Sequence, residues 1–501
     1  MRTSADIRDN ILLHEVTFSV FKDMIVLCLF GLAWILPFTV SLHTEHIRVK
    51  TDHVLQVIDD MYVGVTIAGS QLRSNLKYHN VSSPKLLALG KALAPGYLRI
   101  GGSSVDAMVF DPTHNIATGE QFQLPVNIWD DLNMYVHKIG LKLVIGLNLM
   151  LRNGTKWNPS NAKQLLKYSS DKGYTFAGIE LGNEPNLYYR HWNTTVSDVQ
   201  LGSDYKELKQ VLQGTAYKDS LILGPDIAGY KDKYIKNFVS HGGAIVIDVL
   251  TIHHYYFDGH TAKLKDFSNY SIMDHLIHEL QTVMSTIRSY HGLVAWLGET
   301  SSGYGGGTPG IGNRYVAGNL WLDKPGVSAK YGLKRVLRQS LFGGHYSLID
   351  NNNNPTPDYW LTLLYKRLVG NKVFDVPSSS NNLRLYAHCT NLNNVYNYMP
   401  GSITVYALNL NSDPVIHTIS DLNIKSVDIF WLTPEGGDLK SQKVQLNGKT
   451  LELVHNHIPH MTPKTLGTGT MRAPGNSFGF IVIPDANIAA CRPQSHGPII
   501  E

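Results

Sequence analysis

From Tyr62 onward, short runs dense in Val, Ile and Leu alternate with longer amphipathic stretches. The short runs are YVGVTIAG (62–69), YLRIGG (97–102), LKLVIGLNL (141–149), FAGIELGNE (176–184), LILGPD (221–226), IDVLTIHHYY (247–256), VAWLGETSS (294–302) and SLFGGHYSLID (340–350). Near-continuous apolar runs of this length predict strands buried on both faces, as in a parallel sheet. Helix-like stretches lie between them, for example NAKQLLKYSSDKG (161–173) and SIMDHLIHELQTVMSTIRSY (271–290). Eight strands alternating with helices predict an α/β fold, a (β/α)8 barrel. A doubly wound open sheet is the competing arrangement. It is disfavoured because no Gly-rich phosphate turn follows the first strand.

The texture changes from about Val376. Short alternating runs appear, LRLYAHC (383–389), SITVYALNL (402–410), VDIFWL (427–432) and FGFIVIP (478–484), separated by turn-rich spacers such as LTPEGGD and LNGK. This pattern predicts a β-sandwich. The expected organisation is a barrel over 43–375, whose first strand-like residues are free to join the sandwich, and a C-terminal β-sandwich domain over 376–501. Ahead of both, Met24–Leu42 is almost wholly apolar. It reads as the core of a secretory signal peptide cleaved after a small residue such as Ser41, as a retained signal anchor, or as a buried helix.

Composition narrows the class. The chain has 501 residues, 43% hydrophobic and 17% charged, which describes a globular protein rather than a disordered one. The formal charge is +4, and no basic run is dense enough for a nucleic-acid partner. A membrane partner is implied only if the leader is retained, and nothing sets an oligomeric state. Of three Cys, Cys28 lies in the leader, which leaves Cys389 and Cys491 either as a disulfide in an oxidising compartment or as two free buried thiols. Four acceptor sequons, at Asn80, Asn153, Asn193 and Asn269, fit a secreted or lysosomal chain.

In such a barrel, chemistry sits at the C-terminal ends of the strands. The fourth run ends in Asn183-Glu184-Pro185-Asn186, the sixth in His253-His254-Tyr255-Tyr256, and the seventh in Gly298-Glu299-Thr300. Glycosidic cleavage needs two carboxyl groups flanking the bond, one protonated and one ionised. Glu184 and Glu299 supply that pair from strands four and seven, and a Glu ending a buried strand is costly unless it is hydrogen-bonded or functional. Asn183 can hydrogen-bond a sugar hydroxyl beside the reacting carbon.

Taken together, LGNEPN, IHHYYFDG, WLGETSSGYGGG, WLDK and NPTPDYWLTLLYKRLVG resemble the heparanase family of endo-β-glucuronidases, which includes leech-type hyaluronan-cleaving members. The resemblance runs from about Tyr62 to Cys491. It implies a barrel with a β-sandwich, a retaining mechanism on a glycosaminoglycan polymer, and no metal or other cofactor. It implies that Glu184 is the general acid/base, with a raised pKa, and that Glu299 is the nucleophile, about 5–5.5 Å away. Asn183 and Tyr255 correspond to residues lining the cleavage subsite, and His253 to one beside the nucleophile. Tyr304, Gly305 and Gly306 correspond to a run whose backbone holds the glucuronate carboxylate, and Arg190 to a basic residue facing the polymer. Cys389 and Cys491 correspond to the family's disulfide. Read on their own, His253 or His254 could equally be core histidines, Tyr255 barrel packing and Arg190 a solvated charge.

The chain also departs from the family pattern. Only a short stretch without Lys or Arg, roughly Pro112 to Pro125, stands where many members carry a long excised linker, so activity as a single unprocessed chain is expected. A basic cluster is reduced to Lys231, Lys233 and Lys236, His260 replaces an arginine, and Ala68 and Ser70 replace Asp and Asn. Fewer fixed cations weaken the hold on sulfate. Heparan sulfate is favoured narrowly over hyaluronan. An exo-β-glucuronidase on small glucuronides and a non-catalytic glycosaminoglycan-binding protein are the alternatives.

Overall fold

A computed structural model describes residues 43–393, 395–422 and 424–493; the expected leader and Cys28 lie outside them. No helix among the described residues is long and apolar enough to cross a membrane. Within the unit Thr44–Glu501, eight parallel strands close into a barrel. They are β1 (Val63–Ala68), β2 (Tyr97–Gly101), β3 (Lys142–Leu147), β4 (Gly178–Leu181), β5 (Leu221–Ala228), β6 (Val249–His254), β7 (Val294–Thr300) and β8 (Arg335–Phe342). Closure of β8 onto β1 removes the open-sheet alternative.

Seven of the strands fall on the expected runs, but the eighth does not. It spans Arg335–Phe342 rather than 340–350. Arg335, Arg338 and Gln339 break the apolar signal there, yet all three are buried. Arg338 is paired with Asp358 at 2.7 Å, which meets the cost of enclosing its charge.

The barrel interior is layered. Tyr97, Val144, Leu223, Val249, Trp296 and Leu337 form an apolar plug toward the N-terminal end. Two residues further along β2, on the same face, stands Arg99, which opens a polar layer at the C-terminal end. The surrounding helices are amphipathic. Val126–Ile139, for instance, buries Ile128, Trp129, Leu132, Tyr135, Val136 and Ile139, the spacing of one helical face.

The second module is a nine-stranded antiparallel sheet faced by a three-stranded one. Alternation along Leu383–Thr390 explains both faces. Leu385 and Ala387 join the core between the sheets, while Tyr386 packs against barrel-side residues such as Gly326. The large sheet also takes in Gln56–Val57 and Val369–Phe374. The second of these lies ahead of the boundary expected at residue 376. The helix Pro357–Leu368 runs into that strand without a break, so no turn signal marks the passage. Cys389 and Cys491 are joined as a disulfide. All four sequon asparagines are exposed.

Candidate active site

Above the polar layer a cleft of about 1030 Å³ opens at the C-terminal ends of the strands. Glu184 and Glu299 line it, with His253, Tyr255, Tyr304 and Arg190. One carboxylate oxygen of Glu184 and one of Glu299 lie within 4.8 Å of each other.

The Glu184 loop is built to hold an awkward backbone. Gly182 (φ 78°) lets the chain turn where a Cβ would meet the Tyr188 hydroxyl at 2.5 Å. Glu184 itself is left-handed (φ 51°, ψ 52°), a conformation that costs a residue with a Cβ about 1–3 kcal/mol. Two bonds impose it: Asn183 N–H donates to Asp106 Oδ2 at 2.9 Å, and Glu184 N–H donates to the Asp226 carbonyl at 2.8 Å. Burial pushes the Asp106 carboxyl up to about 7, against the hydrogen bonds it accepts.

Arg99 is the centre of the polar layer. Its Nε donates to Glu180 at 2.6 Å, Nη1 to Glu299 at 2.9 Å, and Nη2 to Asp226 at 2.5 Å and Asn183 at 3.2 Å. The guanidinium fork suits several planar acceptors at once. Tyr255 donates from the other side to Glu299 Oε1 at 2.6 Å, so each oxygen of Glu299 accepts a bond. Burial pushes Glu180 up to about 8, despite Arg99. Asp226 moves the other way: burial opposes its charge, but Arg99 and His253 outweigh burial and hold it below the usual carboxylate range.

His253 faces inward and bridges two acids, with Nδ1 2.8 Å from Glu184 Oε1 and Nε2 2.7 Å from Asp226 Oδ1. Burial would drive its pKa down, yet Asp226 and Glu299 hold it well above the ordinary histidine value. Glu184, His253 and Glu299 form the metal-like trio found among the described residues. An imidazolium with both nitrogens committed offers no lone pair to a cation. His254 points to the other side of β6, 3.7 Å from Glu279 and edge-on to Tyr256, in the role of a core histidine.

Comparison with known proteins bears on the family. Residues 70–326 match the family model "Glycosyl hydrolase family 79, N-terminal domain". The chain is 37% identical to the mouse (Mus musculus) heparanase over 88% of its own length and 93% of that protein. The chain belongs to glycoside hydrolase family 79, the heparanase family. It is also 34% identical to the hyaluronoglucuronidase of Hirudo nipponia, over 89% of this chain and 99% of that one. Human (Homo sapiens) inactive heparanase-2 is 37% identical over 76% of this chain and 69% of its own. Among solved structures, a 4-O-α-L-rhamnosyl-β-D-glucuronidase from Fusarium oxysporum superposes with a TM-score of 0.67 at 16% identity, covering 88% of this chain and 99% of its own. At that identity it supports the barrel fold and no more.

Every residue expected at a family 79 site lines the cleft, though their neighbours differ from expectation in places. His253, expected beside the nucleophile, lies within 4.8 Å of a Glu299 oxygen but gives its hydrogen bonds to Glu184 and Asp226. Arg190 sits at the rim with its guanidinium over the Tyr189 ring. Tyr304 is half exposed, and Gly305 and Gly306 both have positive φ. Of the thinned basic cluster, Lys231 reaches the cleft, while Lys236 is paired with Asp232. Arg99, Glu180, Asp226 and Asp106 were not anticipated. For Arg99, Glu180 and Asp226 the available signal was a lone charge in an otherwise apolar strand, which a buried sheet tolerates only if paired; Asp106 lies in the helical turn Ser103–Ala107 and carried no such signal.

Proposed function

We propose that the chain is a retaining endo-β-glucuronidase of glycosaminoglycans, with heparan sulfate preferred over hyaluronan. One observation carries the mechanism: the two carboxyl groups face each other across an open cleft with oxygens within 4.8 Å. That nearest approach sits with the ~5–5.5 Å carboxyl separation of retaining enzymes rather than with the ~6.5–9.5 Å that admits a water in inverting ones.

Glu299, an acceptor on both oxygens, attacks the anomeric carbon from below the sugar ring. Glu184 gives its proton to the leaving oxygen, then takes one from the water that releases the glycosyl-enzyme. His253 Nδ1, 2.8 Å from Glu184 Oε1, holds that carboxyl in place over the cleft. Asn183 spends its Oδ1 on Gly102 N–H and Arg99, so its amide N–H groups remain for the sugar hydroxyl next to the reacting carbon. The Tyr304-Gly305-Gly306 backbone takes the glucuronate carboxylate, and Arg190 and Lys231 at the rim attract an anionic polymer.

Support for a glycosaminoglycan comes from the heparanase and hyaluronoglucuronidase relatives. The second of these, with the neutral Ala68 and Ser70 in the cleft, favours hyaluronan as the second reading. The disulfide and the exposed sequons support a secreted enzyme. The test is parallel digestion of both polymers by the protein and by Glu299→Ala, with products sized and reducing ends identified. Large fragments ending in glucuronic acid, formed faster from heparan sulfate and absent with Glu299→Ala, are expected. Faster cleavage of hyaluronan reverses the substrate order. If neither polymer shortens, the endo-glucuronidase reading fails.

A further inference from the structure

Register breaks on both sides of β7 just where Glu299 stands. Against β6, Leu297 pairs with Ile252 but Glu299 pairs with His253, so Gly298 is an extra residue. Against β8, the register shifts between Leu297 and Thr300. A bulge re-aims a side chain and disrupts the local ladder. The nucleophile's end of β7 therefore needs another anchor.

That anchor comes from the helix Ala317–Tyr331, in the WLDK segment. Lys324 is 1% exposed, and its amine lies under the strand ends. Nζ donates to Thr300 Oγ1 at 2.6 Å, to the Ser301 carbonyl at 2.7 Å and to the His254 carbonyl at 3.2 Å. Thr300 Oγ1 donates in turn to the His254 carbonyl at 2.5 Å. The amine also sits 4.3 Å from the centre of the Tyr256 ring. Thr300 and Ser301 follow Glu299 directly, while His254 precedes Tyr255, whose hydroxyl donates to Glu299. One side chain thus ties the strand end that carries the carboxylate to the strand end that carries its hydrogen-bond donor.

A lysine in this place is costly as packing. Burial disfavours the charged amine and holds its pKa well below the ordinary lysine value, a penalty that an apolar side chain of like length avoids. The Thr300 hydroxyl and the Ser301 and His254 carbonyls all accept from this one amine, a three-point contact that an apolar side chain cannot make. Asp323, the neighbouring residue, faces the other way and binds Arg384 of the second sheet at 2.5 Å.

We propose that Lys324 is a positioning residue for the nucleophile: its three-point grip on Thr300, Ser301 and His254 fixes Glu299 and Tyr255 in reacting geometry across the bulge. The proposal rests on Glu299 being the nucleophile. A displacement on the order of 1 Å at a reacting group costs about 10²-fold in rate.

The test measures the rate at which a 2-deoxy-2-fluoro-β-glucuronide traps Glu299, with kcat, KM and Tm, in Lys324→Met and in Thr300→Val, which removes one grip point at nearly constant volume. Arg384→Met, which cuts the tie to the second sheet, is the control for simple destabilisation. Trapping and kcat are expected to fall about 100-fold in Lys324→Met and about tenfold in Thr300→Val, with KM within about twofold. Arg384→Met should lose Tm and keep its trapping rate. Should Lys324→Met not fold, Thr300→Val decides. Normal trapping in the variants, or a loss in Arg384→Met equal to theirs, overturns the proposal. If the protein itself is trapped elsewhere than Glu299, the nucleophile assignment fails, and the proposal with it.

Discussion

Replacing Arg99 with Met removes the cation at the centre of the site while keeping much of its volume. Its guanidinium reaches Glu180, Asp226 and Glu299 at 2.6, 2.5 and 2.9 Å, all within the barrel interior. The three acids do not suffer equally. Burial pushes Glu180 toward its neutral form, so it loses less than an ionised partner would. Asp226 keeps His253 at 2.7 Å. Glu299 keeps only the neutral Tyr255 donor at 2.6 Å, so the loss amounts to one broken buried pair. That is worth about 3–5 kcal/mol, a large share of a typical stability of about 5–15 kcal/mol. At roughly 2 °C per kcal/mol for a large domain, Tm falls by about 6–10 °C. A re-aimed Glu299 also lowers kcat by about 10²-fold or more. Arg99→Lys, which keeps the charge without the fork, should fall between. Thermal unfolding and kcat at saturating substrate check this. A Tm within about 2 °C of the parent, with kcat within about threefold, refutes the idea that Arg99 is the counter-charge holding the site together.

Three further perturbations have defined signs. Tyr255→Phe deletes a hydrogen bond to a charged acceptor, worth about 1.5–3 kcal/mol; kcat should fall about 10- to 100-fold with KM little changed, and an unaltered kcat argues that Tyr255 is only packing. Glu180 has a folded pKa of about 8, raised from 4.5, so it contributes stability fully present below the unfolded value and lost as pH rises to about 8. Glu180→Gln has no such loss, so its Tm relative to the parent should improve steadily from about pH 5 to 8, and a flat difference contradicts the raised pKa. Removing the disulfide by Cys389→Ser with Cys491→Ser frees a 102-residue separation, at a cost of about 2–5 kcal/mol. Tm should drop while kcat at low temperature holds, because the bridge lies in the second module.

The sequence made seven barrel strands legible because parallel strands covered on both faces need unbroken Val, Ile and Leu. It concealed β8, where Arg335, Arg338 and Gln339 read as surface but are enclosed. The start of the second sheet was hidden too, since the helix Pro357–Leu368 passes directly into its strand. At the site, Glu184 and Glu299 announce themselves as acids closing apolar strands. Arg99 and Asp226 are single charges inside strands; the acids around Arg99 come from strands 81 to 200 residues away, and His253, 27 residues after Asp226, comes from the next strand. Local pattern cannot pair them; only the closed barrel does. Read on their own, His253 and His254 were equivalent; only the resemblance singled out His253, which bridges Glu184 and Asp226.

The stereochemistry of the first product tests the central claim most directly. Proton NMR of the anomeric region, followed from the first turnovers on a β-glucuronide substrate, distinguishes the two outcomes before mutarotation mixes them. Two carboxyl groups with oxygens within 4.8 Å predict that the β-anomer of glucuronic acid appears first and the α-anomer only later. An α-anomer formed first means direct attack by water. In that case Glu299 is not the nucleophile, and the account of the site is wrong.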